Sequence, residues 1–249
     1  MNNSKFKAAV LIKNKSKIKI EKLDLKEPDK GQVLIKINYT SVCKSQIYEI
    51  DGLRGEDKWL PHMLGHEAVG SVILTGSDVK GFKKNDKVIV TWIKTFGKDT
   101  KKKIFFKSKN KIINAGKCTT FSEYSLVSEN RLFKLPKKIP EKFGSLFGCA
   151  FPTGMGLVKN CIKPRKNKTF IIYGLGGIGL SALLAIKSYS PKLIVVIDRN
   201  QKRKKLAIDA GADIFLNSQK NNLEKVTKNL NDNSFYDYCI TFYYFSLSV

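Results

Sequence analysis

A glycine-rich segment of the chain could bind the phosphates of a dinucleotide, and it reads Gly174-Leu175-Gly176-Gly177-Ile178-Gly179. It lies between an apolar strand predicted at Thr169–Tyr173 and a helix predicted at Leu180–Ser188, which is the context that this motif requires. Gly174 permits the tight turn, Gly176 lets the backbone approach a pyrophosphate, and Gly179 allows close packing of helix on strand. The helix N-terminus would hold the anion. The pattern predicts a dinucleotide site, and the alternative is an ordinary tight turn.

An acidic residue follows at the end of the next predicted strand, in Val195-Val196-Ile197-Asp198. A carboxylate at this place accepts hydrogen bonds from the ribose hydroxyls of NAD and repels the 2′-phosphate of NADP. Asp198 therefore favours NAD. The neighbouring Arg199 and Arg203 weaken that preference, because arginine side chains can accommodate a 2′-phosphate.

A second motif carries a resemblance to a known family. The segment Gly65-His66-Glu67-Ala68-Val69-Gly70, followed by Gly76 and Val79, resembles the signature of the zinc-type alcohol dehydrogenases in the medium-chain dehydrogenase/reductase superfamily. Matching cysteines stand in two further segments, Val42-Cys43-Lys44-Ser45 and Gly148-Cys149-Ala150-Phe151-Pro152-Thr153-Gly154. The resemblance extends from Lys7 to Ile240 and includes Lys84–Val90 and the glycine motif.

The resemblance implies a catalytic zinc held by Cys43, His66 and Cys149. Two thiolates and an imidazole suit zinc and leave a fourth position for water or substrate, where the metal would polarise a carbonyl. Each of the three residues alone would more often be structural, and only their combination in matching motifs indicates a metal. By the same resemblance Glu67 is a residue behind the metal or an alternative ligand, and Ser45 is the hydroxyl that relays a proton.

Further positions are assigned by the resemblance to the coenzyme. Lys44 and Arg203 would contact its pyrophosphate and ribose, and Thr153 would pack near the nicotinamide. The predicted reaction is hydride transfer between an alcohol and NAD, with polyols and sugar hydroxyls among the candidate substrates. The rival is a catalytically incomplete remnant that binds nucleotide and zinc without turnover.

The sequence departs from the family at three places. Residues 93–120 contain only Cys118, so the four-cysteine structural zinc of many relatives is not expected and one zinc per chain is predicted. Tyr48 stands where some relatives place a relay histidine, and it could pass a proton or be a packed aromatic side chain. Gln46 replaces a commonly acidic position behind the metal. His62, Cys118, Cys161 and Cys239 are interpreted as structural.

The elements expected to position these residues fall into two classes. Residues 1–150 are rich in short β-branched runs separated by turn signals, which predicts a GroES-like β domain with a lysine-rich exposed loop or hairpin at 97–117. Its strands are expected at Lys7–Ile12, Ile18–Leu23, Val33–Tyr39, Ala68–Leu74 and Lys87–Trp92. Residues 151–249 alternate strands with helices, which predicts a Rossmann doubly wound parallel sheet. After Tyr173 its elements are expected at Leu180–Ser188, Leu193–Ile197, Lys202–Ala210, Ile214–Leu216, Leu223–Leu230 and Tyr236–Ile240.

The last residues depart from the family pattern. After Ile240 the family continues with the second half of the Rossmann domain, whereas this sequence reads Thr241 to Val249 with four aromatic residues. We therefore expect a C-terminally truncated member with an incomplete Rossmann sheet. The family is usually homo-oligomeric, but the strand through which many relatives dimerise is not expected here.

Composition excludes several other classes. The 249 residues carry 46 Lys and Arg against 21 Asp and Glu, a formal net charge of +25. The lysines are spread along the chain, so a solvated coat is favoured over a nucleic-acid or membrane surface. No apolar run approaches a membrane span. Five cysteines at irregular spacing argue against a disulfide framework and for a cytoplasmic protein with free or metal-bound thiols.

Overall fold

The protein is described by a computed structural model that covers residues 4–220, 222–231 and 234–241. The chain divides into two compact units, with the division between Cys149 and Ala150. The aromatic segment predicted to depart from the family lies outside the described residues from Phe242 onward.

The first unit is built from ten strands and two short helices among its described residues. In chain order they are β1 Lys5–Leu11, β2 Lys19–Asp24, β3 Gln32–Thr40, α1 Lys44–Ile50, β4 His62–Met63, β5 Glu67–Thr75, β6 Lys87–Thr91, β7 Ile104–Ser108, β8 Lys111–Gly116, β9 Tyr124–Ser128, β10 Leu132–Lys134 and α2 Glu141–Gly144. They form two five-stranded sheets, ordered β2-β1-β4-β8-β7 and β10-β6-β5-β3-β9.

Strand β3 shows how the two cores of this unit arise. It lies between β5 and β9, and its consecutive residues Val33, Leu34 and Ile35 are fully buried. Successive side chains of a strand point to opposite faces. Leu34 therefore packs into a cluster with Phe6 and Phe106, while Val33 and Ile35 pack into the other cluster, which includes Val72, Val88 and Val90. The five strands expected in this unit are present with ends shifted by one or two residues.

The lysine-rich segment at 97–117 is a hairpin of β7 and β8. Its expected exposure is only half right, because Ile104, Phe106, Ile113 and Ala115 are buried in the core of the unit. Alternation explains the difference: Phe105, Lys107 and Lys111 lie on the outer face of the two strands, and the four buried apolar residues lie on the inner face.

The second unit has the predicted parallel, doubly wound sheet. Its elements are α3 Ala150–Gly156, β11 Thr169–Tyr173, α4 Gly177–Lys187, β12 Leu193–Asp198, α5 Lys204–Asp209, β13 Ile214–Asn217, α6 Leu223–Leu230 and β14 Tyr238–Thr241. The strands lie in the order β13-β12-β11-β14 and are all parallel. The GroES-like and Rossmann fold class is confirmed. The helix expected at Lys202–Ala210 begins as a 3₁₀ turn at Gln201–Arg203, and a π-helical turn at Leu157–Ile162 was not expected.

Helices cover both faces of this sheet. Phe170, Ile172, Ile194 and Val196 pack against buried residues of α4 and against Ala207 of α5. The alternate residues Ile171, Val195 and Ile197 pack with side chains of α6. Strands buried on both faces read as continuous apolar runs, which is why β11 and β12 could be located from the sequence. Within the part of the chain that the structure describes, no helix is long and apolar enough to span a bilayer.

Candidate functional site

Four side chains of the first unit converge on one point. A ligand atom from each of Cys43, His66, Glu67 and Cys149 lies within 4.8 Å of the corresponding atom of the others. Cys43 immediately precedes α1, His66 and Glu67 stand at the start of β5, and Cys149 follows a 3₁₀ turn at Ser145–Gly148. The structure thus brings together the three residues predicted as zinc ligands and the glutamate predicted behind them.

Two glycines allow this convergence. Gly65 has φ = +88°, and a Cβ there would lie 2.5 Å from the Thr120 hydroxyl and 2.6 Å from the Phe121 backbone nitrogen. A Cβ on Gly148 would lie 2.6 Å from the Glu67 Cβ, and the Gly148 carbonyl accepts a hydrogen bond from the Thr91 hydroxyl at 2.6 Å. Any larger residue would push the ligand-bearing segments apart.

The two cysteines behave electrostatically as a pair. The Cys149 thiol donates to Cys43 and, with the His66 imidazole and Ser45, lowers the pKa of Cys43 to about 3. The pKa of Cys149 is raised, first by that same contact with Cys43 and then by burial. The opposite directions of these two pKa shifts correspond to a pair of thiols that shares one proton. A cation can replace the remaining proton, because thiolates are the ligand form of cysteine.

The donor set fits zinc. His66 Nε2 is buried and has no hydrogen-bond partner among the described residues, whereas its Nδ1 lies 3.1 Å from Gln46 Nε2. A buried ring nitrogen without a partner beside two sulfurs is satisfied by a metal ion. Cys43, His66 and Cys149 would supply the soft ligands, and Glu67 is placed to be a fourth ligand.

Cys118 has a supporting place that the sequence did not reveal. Its thiol donates to the His66 carbonyl at 3.4 Å, and burial raises its pKa to about 12. It stays protonated at neutral pH and holds the backbone of His66. Cys118 is interpreted as structural because no motif surrounds it, and this contact is a specific structural role for its thiol.

Gln46 lies behind His66 and is buried. Its Oε1 accepts the Gly65 N–H, and its Nε2 donates to Glu49 Oε2 at 2.8 Å while facing His66 Nδ1. An amide nitrogen has no lone pair with which to accept the Nδ1 proton. The tautomer that binds a metal through Nε2 carries its proton on Nδ1, and Gln46 Nε2 offers that proton no acceptor.

The two predicted relay residues lie on α1 or at its start. Ser45 contacts Cys43 through both its hydroxyl and its backbone N–H, and both contacts lower the pKa of Cys43. Tyr48 is half-buried, with the Lys44 ammonium 5.2 Å from its ring centroid. Lys44 itself is exposed.

The glycine motif of the second unit forms the turn between β11 and α4. Gly174 has φ = +91°, and its N–H donates to the Ile197 carbonyl at 2.7 Å. A Cβ on Gly174 or Gly176 would meet no atom within 4 Å, so the backbone of the turn is open to a ligand. Helix α4 begins at Gly177 with no side-chain cap, which leaves its first N–H groups available to an anion.

Asp198 closes this turn. Its Oδ2 accepts the Leu175 N–H and the Arg203 guanidinium, each at 2.7 Å, and its Oδ1 accepts the Asn200 N–H at 2.7 Å. Burial alone would raise the pKa of Asp198, but these donors lower it below its usual range. The side chain is an ionised carboxylate with one lone pair of Oδ1 still available.

The remaining predicted coenzyme residues are placed as follows. Ile178 and Gly179 lie in the first turn of α4, Arg199 is exposed after β12, and Thr153 is half-buried in α3. Close packing in this unit occurs at Gly154, where an added Cβ would collide with the Ile178 carbonyl.

Known proteins resemble this chain within its first unit and over most of its length. A family model described as the alcohol dehydrogenase GroES-like domain matches residues 29–137. An S-(hydroxymethyl)glutathione dehydrogenase of Photobacterium damsela subsp. piscicida is 30% identical, with 86% of this chain and 64% of the relative covered. An alcohol dehydrogenase class-3 of Caenorhabditis elegans is 32% identical, with 85% of this chain and 61% of the relative covered. The first unit therefore matches the alcohol dehydrogenase GroES-like domain, and most of the chain is similar to these two dehydrogenases.

Solved structures share the fold of this chain. The crystal structure of benzyl alcohol dehydrogenase from Acinetobacter calcoaceticus superposes with a TM-score of 0.82 at 23% identity, covering 96% of this chain and 70% of that one. This chain spans 64% and 61% of the length of the two relatives named above.

One cluster in the first unit was missed by the motif analysis. Glu49, Asp57 and His62 also place ligand atoms within 4.8 Å of one another. No signature in the sequence joins them, because they come from a helix, a loop and a two-residue strand.

Proposed function

We propose that this chain carries the zinc and coenzyme sites of an oxidoreductase that transfers hydride between an alcohol and NAD. The observation that supports this most directly is the convergence of Cys43, His66, Glu67 and Cys149 around the unpartnered His66 Nε2. Polyols and sugar hydroxyls remain candidate substrates within this proposal.

The protein residues would divide the work at the metal site. Zinc, when bound, supplies a Lewis acid that polarises the carbon–oxygen bond of the substrate. Cys43, His66 and Cys149 would hold it, with Glu67 as a fourth ligand or as a charge behind it. The Ser45 hydroxyl, next to Cys43, would take the proton that the substrate hydroxyl releases, and Tyr48 is the next hydroxyl on α1 that could carry it onward.

The coenzyme would be bound by the second unit. The open turn at Gly174 and Gly176 and the N-terminus of α4 suit a pyrophosphate. The free lone pair of Asp198 suits a ribose hydroxyl, and its negative charge supports NAD over NADP. The ion pair with Arg203 reduces that charge, so the preference is expected to be moderate.

We further propose one thiolate-bound zinc and no four-cysteine zinc. Cys118 is a buried, protonated thiol that holds the His66 carbonyl, and residues 93–120 contain no second cysteine.

The test is a single-turnover measurement with zinc-loaded protein, NAD and a panel of primary alcohols, secondary alcohols and polyols. NADH formation in the wild type and its loss in Cys43→Ser are expected. The matched control is Cys161→Ser, which alters an exposed thiol away from the cluster. Binding of both zinc and NAD by a folded sample without NADH formation would instead favour the non-catalytic remnant.

A further inference from the structure

The cluster of Glu49, Asp57 and His62 shares no residue with the group around Cys43. His62 Nε2 lies 2.9 Å from Asp57 Oδ2 and 3.8 Å from Glu49 Oε1. The imidazole is 7% exposed, and the Asp57 and Glu49 side chains are 13% and 26% exposed. Two carboxylate oxygens and a ring nitrogen thus meet in a largely buried place that solvent ions can still reach.

The hydrogen bonding of His62 leaves its other nitrogen, Nε2, facing the two carboxylates, with Asp57 Oδ2 at hydrogen-bond distance. Nδ1 lies 2.9 Å from the Met63 carbonyl oxygen, which can only accept, so Nδ1 carries a proton. In the neutral imidazole Nε2 is then a lone pair, and it faces two ionised carboxylates that also can only accept. The three atoms are satisfied either by a proton on Nε2 that is donated to Asp57 Oδ2 or by a metal ion between them. An Nδ1–H bonded to a backbone carbonyl is the usual arrangement of a histidine that binds metal through Nε2.

Each of the three side chains is already held by its second polar atom. Asp57 Oδ1 accepts the Trp59 N–H at 3.0 Å, Glu49 Oε2 accepts Gln46 Nε2 at 2.8 Å, and His62 Nδ1 donates to Met63. One atom of each residue is therefore left to point at the shared position. Supporting contacts of this kind orient the ligands of protein metal sites.

Among the described residues, no lysine or arginine neutralises the cluster. The chain carries 46 of these residues, yet within the described ranges Glu49 and Asp57 form ion pairs with His62 and with none of them. Two partly buried carboxylates without a cationic partner are unfavourable.

We propose that Glu49, Asp57 and His62 form a second metal site for a divalent first-row transition-metal ion such as Zn²⁺. One imidazole and two carboxylates are ligands that such ions accept, with room for water at a fourth position. Ligand atoms about 3.3 Å apart are expected around a tetrahedral zinc with bonds of about 2.0–2.1 Å, and the distances of 2.9 and 3.8 Å lie on either side of that value. The competing occupant is a proton on Nε2.

A bound ion would restrict the motion of the loop formed by residues 49–62. Glu49 lies near the end of α1, Asp57 in the segment that follows, and His62 in β4, so an ion would cross-link both ends and the middle of residues 49–62. Arg54 and Lys58 in this loop are exposed and provide cleavage points for trypsin.

The experiment is metal stoichiometry on the full chain after equilibration with zinc and removal of free ion. Wild type is expected to retain two equivalents, one more than the single zinc per chain predicted from the sequence. Glu49→Gln/Asp57→Asn should retain one equivalent, because it removes both carboxylate ligands. The loop should keep its fold, since the carboxamide introduced at position 57 can still accept the Trp59 N–H through its oxygen while its NH₂ group donates to His62. Cys43→Ser/Cys149→Ser should also retain one. Glu56→Gln removes an exposed carboxylate from the same loop and should retain two.

Cobalt substitution separates the two sites. The thiolate site gives a sulfur-to-cobalt charge-transfer band, which Glu49→Gln/Asp57→Asn should keep and the double cysteine variant should lose. The inference is overturned if Glu49→Gln/Asp57→Asn holds as many ions as wild type. That result leaves the proposed oxidoreductase intact as long as the sulfur-to-cobalt band of the thiolate site is present.

Proteolysis gives a second readout. At free zinc ten times the dissociation constant, tryptic cleavage at Arg54 and Lys58 should slow about tenfold in wild type, since the ion stabilises the closed loop in proportion to its binding. The rate should not change in Glu49→Gln/Asp57→Asn. Equal protection of both proteins by zinc would refute the site.

Discussion

Replacing Gln46 with glutamate, together with Glu49→Gln, is expected to tighten zinc binding at Cys43, His66 and Cys149. In the present structure Gln46 Nε2 faces His66 Nδ1 at 3.1 Å and cannot accept its proton. A carboxylate there would accept Nδ1–H and so favour the tautomer whose Nε2 binds metal, while its other oxygen would keep the Gly65 N–H.

The second substitution is needed because of the contact with residue 49. Gln46 Nε2 donates to Glu49 Oε2 at 2.8 Å, and two carboxylate oxygens at that separation would repel by about 1.5–6 kcal/mol for an effective dielectric between 80 and 20. Glu49→Gln places an amide donor opposite the new carboxylate and restores the hydrogen bond with the polarity reversed.

The expected gain follows from the effect of such supporting residues in other metal sites. Their removal typically costs a factor of about 10–100 in metal affinity, or about 1.4–2.7 kcal/mol, so their introduction should tighten the zinc dissociation constant by a similar factor. The measurement is competition with a chromophoric chelator, with the thiolate-to-cobalt band identifying the site. Glu49→Gln alone is the matched control. If the double variant binds zinc no more tightly than Glu49→Gln, the reasoning about Gln46 is wrong.

Three further predictions concern stability, coenzyme and metal. Glu129 is 4% exposed and accepts three backbone N–H groups, so Glu129→Ala should lower the unfolding free energy by about 2–5 kcal/mol in urea titrations. Burial alone would raise the pKa of Glu129, but those N–H groups lower it. The carboxylate therefore stabilises the fold fully above the unfolded pKa of about 4.3, and this stabilisation is lost as pH falls through the lower folded pKa. Glu129→Gln should abolish this pH dependence. Asp198→Asn should shift the ratio of NAD to NADP dissociation constants at least about tenfold towards NADP, measured by calorimetry. Cys149→Ser should eliminate the thiolate-bound equivalent of zinc, whereas Cys239→Ser should leave it unchanged.

Each of these has an outcome that would contradict it. A loss below about 0.5 kcal/mol in Glu129→Ala would mean that water replaces the carboxylate at no cost. An unchanged coenzyme ratio in Asp198→Asn would show that Arg203 already cancels the charge of Asp198. Full zinc occupancy in Cys149→Ser would remove that sulfur from the ligand set.

The Rossmann half was predictable because its signals are local. Strand Thr169–Tyr173 is a continuous apolar run, the glycine turn follows directly, and the helix Leu223–Leu230 is found at its predicted bounds. Such elements depend on neighbours in the sequence. The hairpin at 97–117 was predicted less completely, since the burial of Phe106 and Ile113 depends on β1 and β3, which lie far away in the chain.

The sequence by itself predicted the fold class, and its resemblance to a known family supplied the candidate ligands Cys43, His66 and Cys149, because each lies in a short motif that matches that family. Only the tertiary structure decided which polar atoms face one another. It placed the Gln46 amide against His66, the Cys118 thiol against the His66 carbonyl, and Glu49 and Asp57 against His62. The reason is that a motif fixes the backbone over a few residues, whereas hydrogen bonds and ion sites between distant segments depend on side-chain directions that only the packed chain specifies.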